Sequence, residues 1–314
     1  MKFNRNSTAW FKKINMSETS EIFIAKSSIK AADLEHRRKI NFNIGKYNSK
    51  VPEGKEQFAD VHLVRERAKN IKWRASETLD QQLEEFELNF TKRGGKVIWA
   101  ENSEQAIAEI LAICAVKNCK RLVKSKSMVT EEIHLNKALE QNGIESVETD
   151  LGEYIQQLDG EPPYHIVTPA MHKNKEDVAK LFHEKLGTPI NFTPEQLTLK
   201  AREILREKYV EAEVGVTGAN FIISDIGGIA VTENEGNARL SCAFPKTHIA
   251  IVGIEKMIPS VTDLGLFWPL LSTFGTGQKV TVYNTIITGP RQPNETDGPD
   301  EMYVILLDNG RTNI

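Results

Sequence analysis

Residues 96–150, KVIWAENSEQAIAEILAICAVKNCKRLVKSKSMVTEEIHLNKALEQNGIESVETD, decide the fold class. Short apolar runs at 96–100, 121–123 and 144–148 read as strands, and between them apolar residues recur at helical spacing over 104–117 and 131–141. Ser103 and Thr130 stand where helix N-caps belong, and Asn142-Gly143 stands where a helix stops. Strands that alternate with helices of this length predict a parallel sheet covered on both faces.

The pattern extends both ways. Upstream, a helical period runs from Asp60 to Arg93 and is closed by Gly94-Gly95. Downstream, 151–158 reads as a short helix, 165–168 as a strand and 177–186 as a helix, and Thr193-Pro194-Glu195 opens another to about residue 211. Strands then dominate, at 214–217, 221–224, 229–231, 248–252, 280–287 and 302–307, with one helix near 261–273. The expected architecture is α/β, a mostly parallel sheet flanked by helices with a strand-rich C-terminal half. It divides into an N-terminal arm, 1–59, helical in part around 30–44, and a main domain, 60–314. The arm is polar and locally basic but poor in interleaved aromatics, so it reads as packing on a partner or a second subunit of a homo-oligomer rather than on nucleic acid.

Composition narrows the function classes. With 314 residues, 40% of them hydrophobic, the chain can bury a full core. A net charge of -3 gives no reason to expect nucleic acid or an anionic membrane. No apolar run is long enough to span a bilayer, and MKFNRNSTAWFKK lacks the apolar centre of a secretory signal, so the default location is the cytoplasm. Cys114, Cys119 and Cys242 form no CxxC pair and read as buried reduced thiols, and the histidines show no metal-type grouping. No bound metal or cluster is expected.

Ligands of an open parallel sheet bind beyond the carboxyl ends of its strands. Lys124-Ser125-Lys126-Ser127 lies between a strand and a helix, and its ammonium and hydroxyl groups suit an anion; the alternative is a capped helix with solvated lysines. After the next strand comes Asp150, a helix cap, with Glu153 in the first turn; after the one beyond comes His172, which Lys173 would hold neutral and suited to hydrogen bonding or to accepting a proton as a catalytic residue. The stretch 215–239, GVTGANFIISDIGGIAVTENEGNAR, gives two short strands and then a polar loop, placing Thr217, Gly218, Asn220, Asn234, Gly236 and Asn237 as ligand contacts. Glu235 reads as a general base or nucleophile, with Arg239 or the Gly236 N–H stabilising developing charge. Lys124, Lys126, Arg239 and Lys246 supply cations for a small carboxylate, and Glu235, Asn237 and Arg239 are expected to share one cleft with Lys124, Lys126 and His172.

The same loop, with VKSKSMVTEE at 123–132, VETDLGEY at 147–154, PAMHKNK at 169–175 and LDNGRTN at 307–313, resembles the LUD domain of lactate utilization proteins, in the B-type subunits of the bacterial lactate-oxidation system. The resemblance runs from about Ala31 to the end in the same segment order. It implies a fold like that of the NagB/RpiA/CoA-transferase superfamily, and a component of an enzyme system that oxidises L-lactate to pyruvate with iron–sulfur partner subunits. The B-type subunits carry cysteine runs for [4Fe-4S] clusters after the Asn-Gly-Arg segment, whereas this chain stops at Ile314, as a fragment or a short form would. None is expected on the chain as given, and activity alone is not expected. Class I CoA-transferases, on the related fold, use a glutamate in a Glu-Asn-Gly loop, which Thr232–Gly236 resembles with one residue inserted. The alternatives are therefore an acyl/CoA or phosphosugar enzyme using Glu235 or Glu233, and a non-catalytic scaffold for iron–sulfur subunits.

Overall fold

The computed structural model describes residues 18–313. Ten strands, β1 Lys96–Ala100, β2 Arg121–Lys124, β3 Glu145–Glu148, β4 Val214–Thr217, β5 Phe221–Ile223, β6 Gly228–Glu233, β7 Thr247–Gly253, β8 Met257–Ile258, β9 Tyr283–Ile287 and β10 Glu301–Leu307, form two sheets. The larger has six strands in the order β1-β10-β7-β4-β2-β3, and every neighbouring pair is parallel. The smaller, β8-β5-β6-β9, is mixed and is built on the antiparallel β5–β6 pair.

Alternation along the central strands assigns the two faces. Ile249, Ile251, Ile305 and Leu307 point to one side, where Ala106, Ile110 and Ile113 of helix Ser103–Val116 cover them. Ala250, Val252, Val304 and Leu306 point to the other, against Phe86 and Phe90 of helix Leu79–Thr91 and against Ile222 and Ile229 of the smaller sheet. Val123 and Val147 continue this second face under helices Leu151–Asp159, Lys175–Leu186 and Pro194–Glu211. The α/β class, the mostly parallel sheet with helices around it and the strand-rich C-terminal half are those expected.

Several local readings change. The period over 60–93 breaks at Thr78 into helices Val61–Glu77 and Leu79–Thr91. The one over 131–141 breaks at His134, which takes a left-handed conformation between helices Met128–Glu132 and Leu135–Gln141. Asn102, not Ser103, caps helix Ser103–Val116. Residues 165–168 form no strand, because His165 Nδ1 accepts from the Val167 and Thr168 N–H groups (3.1 and 3.3 Å) and closes a turn. That leaves β3 as the sheet edge.

The arm is more helical than expected and packs on this chain's own body. Helices Glu18–Ala32 and Leu34–Lys55 occupy its described part. Lys39 pairs with Asp177 at 2.6 Å, Asn43 donates to the Met171 carbonyl at 2.8 Å, and Gly54 lies so close to Gly277 that a Cβ would stand 2.6 Å from its carbonyl oxygen. Among the described residues no helix is long and apolar enough to cross a membrane.

Helix Asn237–Ala243 lies directly on β4, because Gly215 offers no side chain there. A Cβ on Gly215 would fall 1.8 Å from the Ser241 carbonyl oxygen, a backbone atom that moves only with its helix. Gly215→Ala is therefore expected to cost about 1–3 kcal/mol through overpacking and to lower the melting temperature by several degrees. An unchanged melting curve by circular dichroism contradicts this packing.

Candidate functional site

The loops leaving the carboxyl ends of β2, β3 and β4 converge. Ser127 caps helix Met128–Glu132, accepting from Thr130 N–H at 3.4 Å, and Gly218 allows the β4 loop to approach it, since a Cβ there would stand 2.7 Å from Ser127 Oγ. Asp150 caps helix Leu151–Asp159, accepting from Gly152 and Glu153 N–H at 2.9 and 3.2 Å. Lys126, partly exposed, reaches Asp150 at 3.4 Å and donates to the Val167 carbonyl at 3.1 Å. Glu235 closes this side by accepting from Leu151 N–H at 3.4 Å. Crowding by protein atoms and the nearby Asp150 carboxylate push its pKa up, and Lys126 opposes them. A cation, a carboxylate with raised proton affinity and a helix N-terminus thus share the edge.

Lys124 and Ser125 do not belong to an open anion site. Lys124 is fully buried, paired with Glu148 at 2.9 Å and Glu131 at 3.1 Å and donating to Thr130 at 2.9 Å. Burial disfavours its ammonium, but the surrounding carboxylates, Glu148 foremost, outweigh that and raise its pKa. The Ser125 N–H is spent on the Val216 carbonyl at 3.0 Å. A strand-end lysine resembles a ligand residue in sequence; here the facing β3 carboxylate claims it.

Glu153 belongs to the same buried group and is 1% exposed. Both its carboxyl oxygens lack hydrogen-bond partners, as does Glu148 Oε2. Burial and then Glu148 push its pKa up to about 9, so it is a neutral acid at pH 7. A neutral Glu153 offers the donor that Glu148 Oε2 lacks, and Lys124 then faces the charges of Glu148 and Glu131 alone.

Other expected contacts serve structure. The Thr217 hydroxyl hydrogen-bonds His248 Nε2 at 2.8 Å, and burial lowers the pKa of that imidazole to about 3, holding it neutral. Asn220 accepts from Thr232 N–H at 2.8 Å, and Asn234 exchanges amide hydrogen bonds with Gln278 at 3.0 Å. Glu233 spends both oxygens on the Ala238 and Arg239 N–H groups, which leaves it poorly suited to attack a thioester. Gly236, with φ of 82°, begins the helix that buries Asn237, and Arg239 lies over the Tyr283 ring at 5.5 Å. His172 and Lys173 turn elsewhere. His172 Nε2–H donates to Glu161 at 3.0 Å beside Tyr164 and His36, and Lys173 pairs with Asp159 and Glu161. Lys246 immediately precedes β7 and so lies at the amino edge of the sheet, opposite Lys126. Of the six residues expected to share one cleft, only Lys126 and Glu235 come together, on either side of Asp150.

Sequence reading missed a larger feature of the same edge. A cleft of about 1030 Å³ opens at the carboxyl ends of β1, β10 and β7, with Leu79, Leu83, Trp99, Met257 and Leu306 on its walls and Arg311 at one end. Arg311 is locked by Glu132 at 2.9 Å and Glu255 at 2.5 Å. The Asn309-Gly310-Arg311 run was its available signal. The described cysteines assemble no cluster site: Cys114, Cys119 and Cys242 are all buried, and no group of three or more metal-ligating side chains occurs among the described residues.

The LUD domain family model matches residues 83–307. The chain is similar to Lactate utilization protein B of Bacillus licheniformis, 47% identical over 79% of this chain and 52% of that protein. It is also similar to Lactate utilization protein B of Bacillus subtilis, 44% identical over 83% of this chain and 55% of that one. The chain thus spans about half the length of the curated relatives it matches. A crystal structure of a DUF162 family protein from Deinococcus radiodurans aligns with 73% of this chain and 98% of its own, at 12% identity and a TM-score of 0.42.

The buried carboxyl group supplies a pH test. The folded-state pKa of Glu153, about 9, lies above its ordinary value of 4.5, so its contribution to stability is complete below about pH 4.5 and is lost as pH rises through 9. Glu153→Gln keeps the donor and removes the titration. The variant is expected to melt like the wild type at pH 5 and several degrees higher at pH 9. A difference that is constant with pH in calorimetry refutes the neutral-acid assignment.

Proposed function

The chain belongs to the LUD domain family, and from that premise we propose that it is the LUD-domain component of a system that oxidises L-lactate to pyruvate together with iron–sulfur partner proteins. The observation that carries the reading is the extended similarity to proteins named Lactate utilization protein B. The geometry at the carboxyl edge agrees with it. Lys126 is the partly exposed cation for the substrate carboxylate, in place of the buried Lys124. Glu235, with its raised pKa, accepts the hydroxyl proton as the alcohol becomes a ketone. Two electrons and a second proton leave to the partners; the three buried thiols fit no cluster, and no electron-transfer step is assigned to this chain.

Deleting the gene that encodes this chain should abolish growth on L-lactate while sparing growth on pyruvate, and the wild-type gene should restore it. Glu235→Gln should lower L-lactate oxidation in permeabilised cells by roughly a hundredfold, as expected for loss of a general base, with little change in melting temperature. Lys126→Ala should weaken lactate saturation. Normal growth of the deletion strain on lactate overturns the function. Normal oxidation by both variants overturns the site alone.

A further inference from the structure

The large cleft is chemically unlike the Lys126–Glu235 edge. Asp80, Glu84, Glu87, Glu101, Glu255 and Asp308 line it against only two cations, Lys72 and Arg311. Both cations are already engaged: Lys72 donates to the Glu255 and Met257 carbonyls, and Arg311 to Glu132, Glu255 and the Asp308 carbonyl. On the rim, Asp80 and Glu84 are exposed and carry no ion pair among the described residues. Below them lie the buried side chains of Ala75, Leu83, Ala100, Ile254, Met257 and Leu306. An apolar floor under an acidic rim repels lactate, pyruvate and any phosphate-bearing cofactor.

Size and shape narrow the occupant. At about 1030 Å³ the cleft is at the upper limit of small-molecule sites, and it offers no cluster of free donors to orient such a ligand. One wall is a single helix face, with Leu79, Leu83 and Glu87 in one row and Asp80 and Glu84 in the next. Rows of this kind form ridges that pack into the grooves of another helix. Trp99, 49% exposed, lines the cleft with its indole N–H held by Glu87 at 3.1 Å, so about half of a large apolar ring is left for contact.

We propose that this cleft receives an amphipathic helix of a partner protein, its apolar face against the Leu79–Leu83 wall and its lysines or arginines opposite Asp80 and Glu84. Complementary charge selects the partner and speeds encounter, while apolar burial supplies most of the affinity. The inference requires neither lactate nor a cofactor, so it stands or falls separately from the proposed reaction.

The probe is a labelled helical peptide with leucines at i, i+3, i+4 and i+7 flanked by lysines, followed by fluorescence anisotropy with the intact chain. Saturable binding is expected, at least tenfold weaker for Asp80→Lys/Glu84→Lys and weakening steeply with added salt. An indole emission change on binding should be lost in Trp99→Phe. Because both charged positions are exposed, the double variant should melt like the wild type; should it not, Glu84→Gln alone is expected to weaken binding two- to threefold. Equal binding of a peptide with glutamates for lysines, or with serines for leucines, overturns the proposal, as does failure to saturate. A chain that dimerises in sedimentation velocity through this cleft, and dissociates in the double variant, also overturns it in favour of a second copy.

Discussion

The β7–β10 pair is buried on both faces, and that constraint organises the rest of the chain. Neither strand can leave a face open to water, since Ile249, Ile251, Ile305 and Leu307 need one cover and Ala250, Val252, Val304 and Leu306 another. A parallel sheet of this kind cannot close by hairpins, so crossover segments must supply both covers. Helix Ser103–Val116 takes one face; helix Leu79–Thr91 and the smaller sheet share the other. With every strand of the large sheet parallel, all strand-end loops emerge on one edge. Polar chemistry collects there because the faces are already filled.

Burial at that edge is not uniform, and this separates structural charge from accessible charge. Lys124 is a cation that water cannot reach, and it is tolerable only because Glu148 and Glu131 surround it. Charging Glu153 as well would crowd a third carboxylate into the same dry volume, and its pKa moves up accordingly. Two residues later along the chain, Lys126 shares its strand-end position but lies outside that volume, with Asp150 and a backbone carbonyl as partners. The two lysines differ in depth and in their partners. Depth decides which can meet a ligand.

Period and capping made the fold class legible: strand and helix alternated over 96–150 in the order the structure adopts, and Asp150 and Asn142-Gly143 act as the cap and stop expected. What sequence hid was long-range pairing. Lys124 against Glu148 and Thr217 against His248 are contacts between neighbouring strands, invisible until strand order is known. The missing strand at 165–168 turned on one imidazole accepting two backbone N–H groups, a choice no periodicity records. His172 looked like a strand-end residue for the same reason, and with the strand gone it packs beside the arm instead. The large cleft was hidden because residues as distant in sequence as Leu79, Trp99, Glu255 and Arg311 build it together.

The sheet edge therefore presents two surfaces of opposite preference. Over β2, β3 and β4, the partly exposed Lys126 stands beside Asp150 and the exposed Glu235 at the start of helix Leu151–Asp159. Over β1, β10 and β7, six acidic side chains outnumber two fully engaged cations and disfavour a small anion. The substrate and the partner helix proposed above would therefore use opposite parts of this edge, the helix meeting the acidic side. The β7–β10 core, packed on both faces, lies between the two.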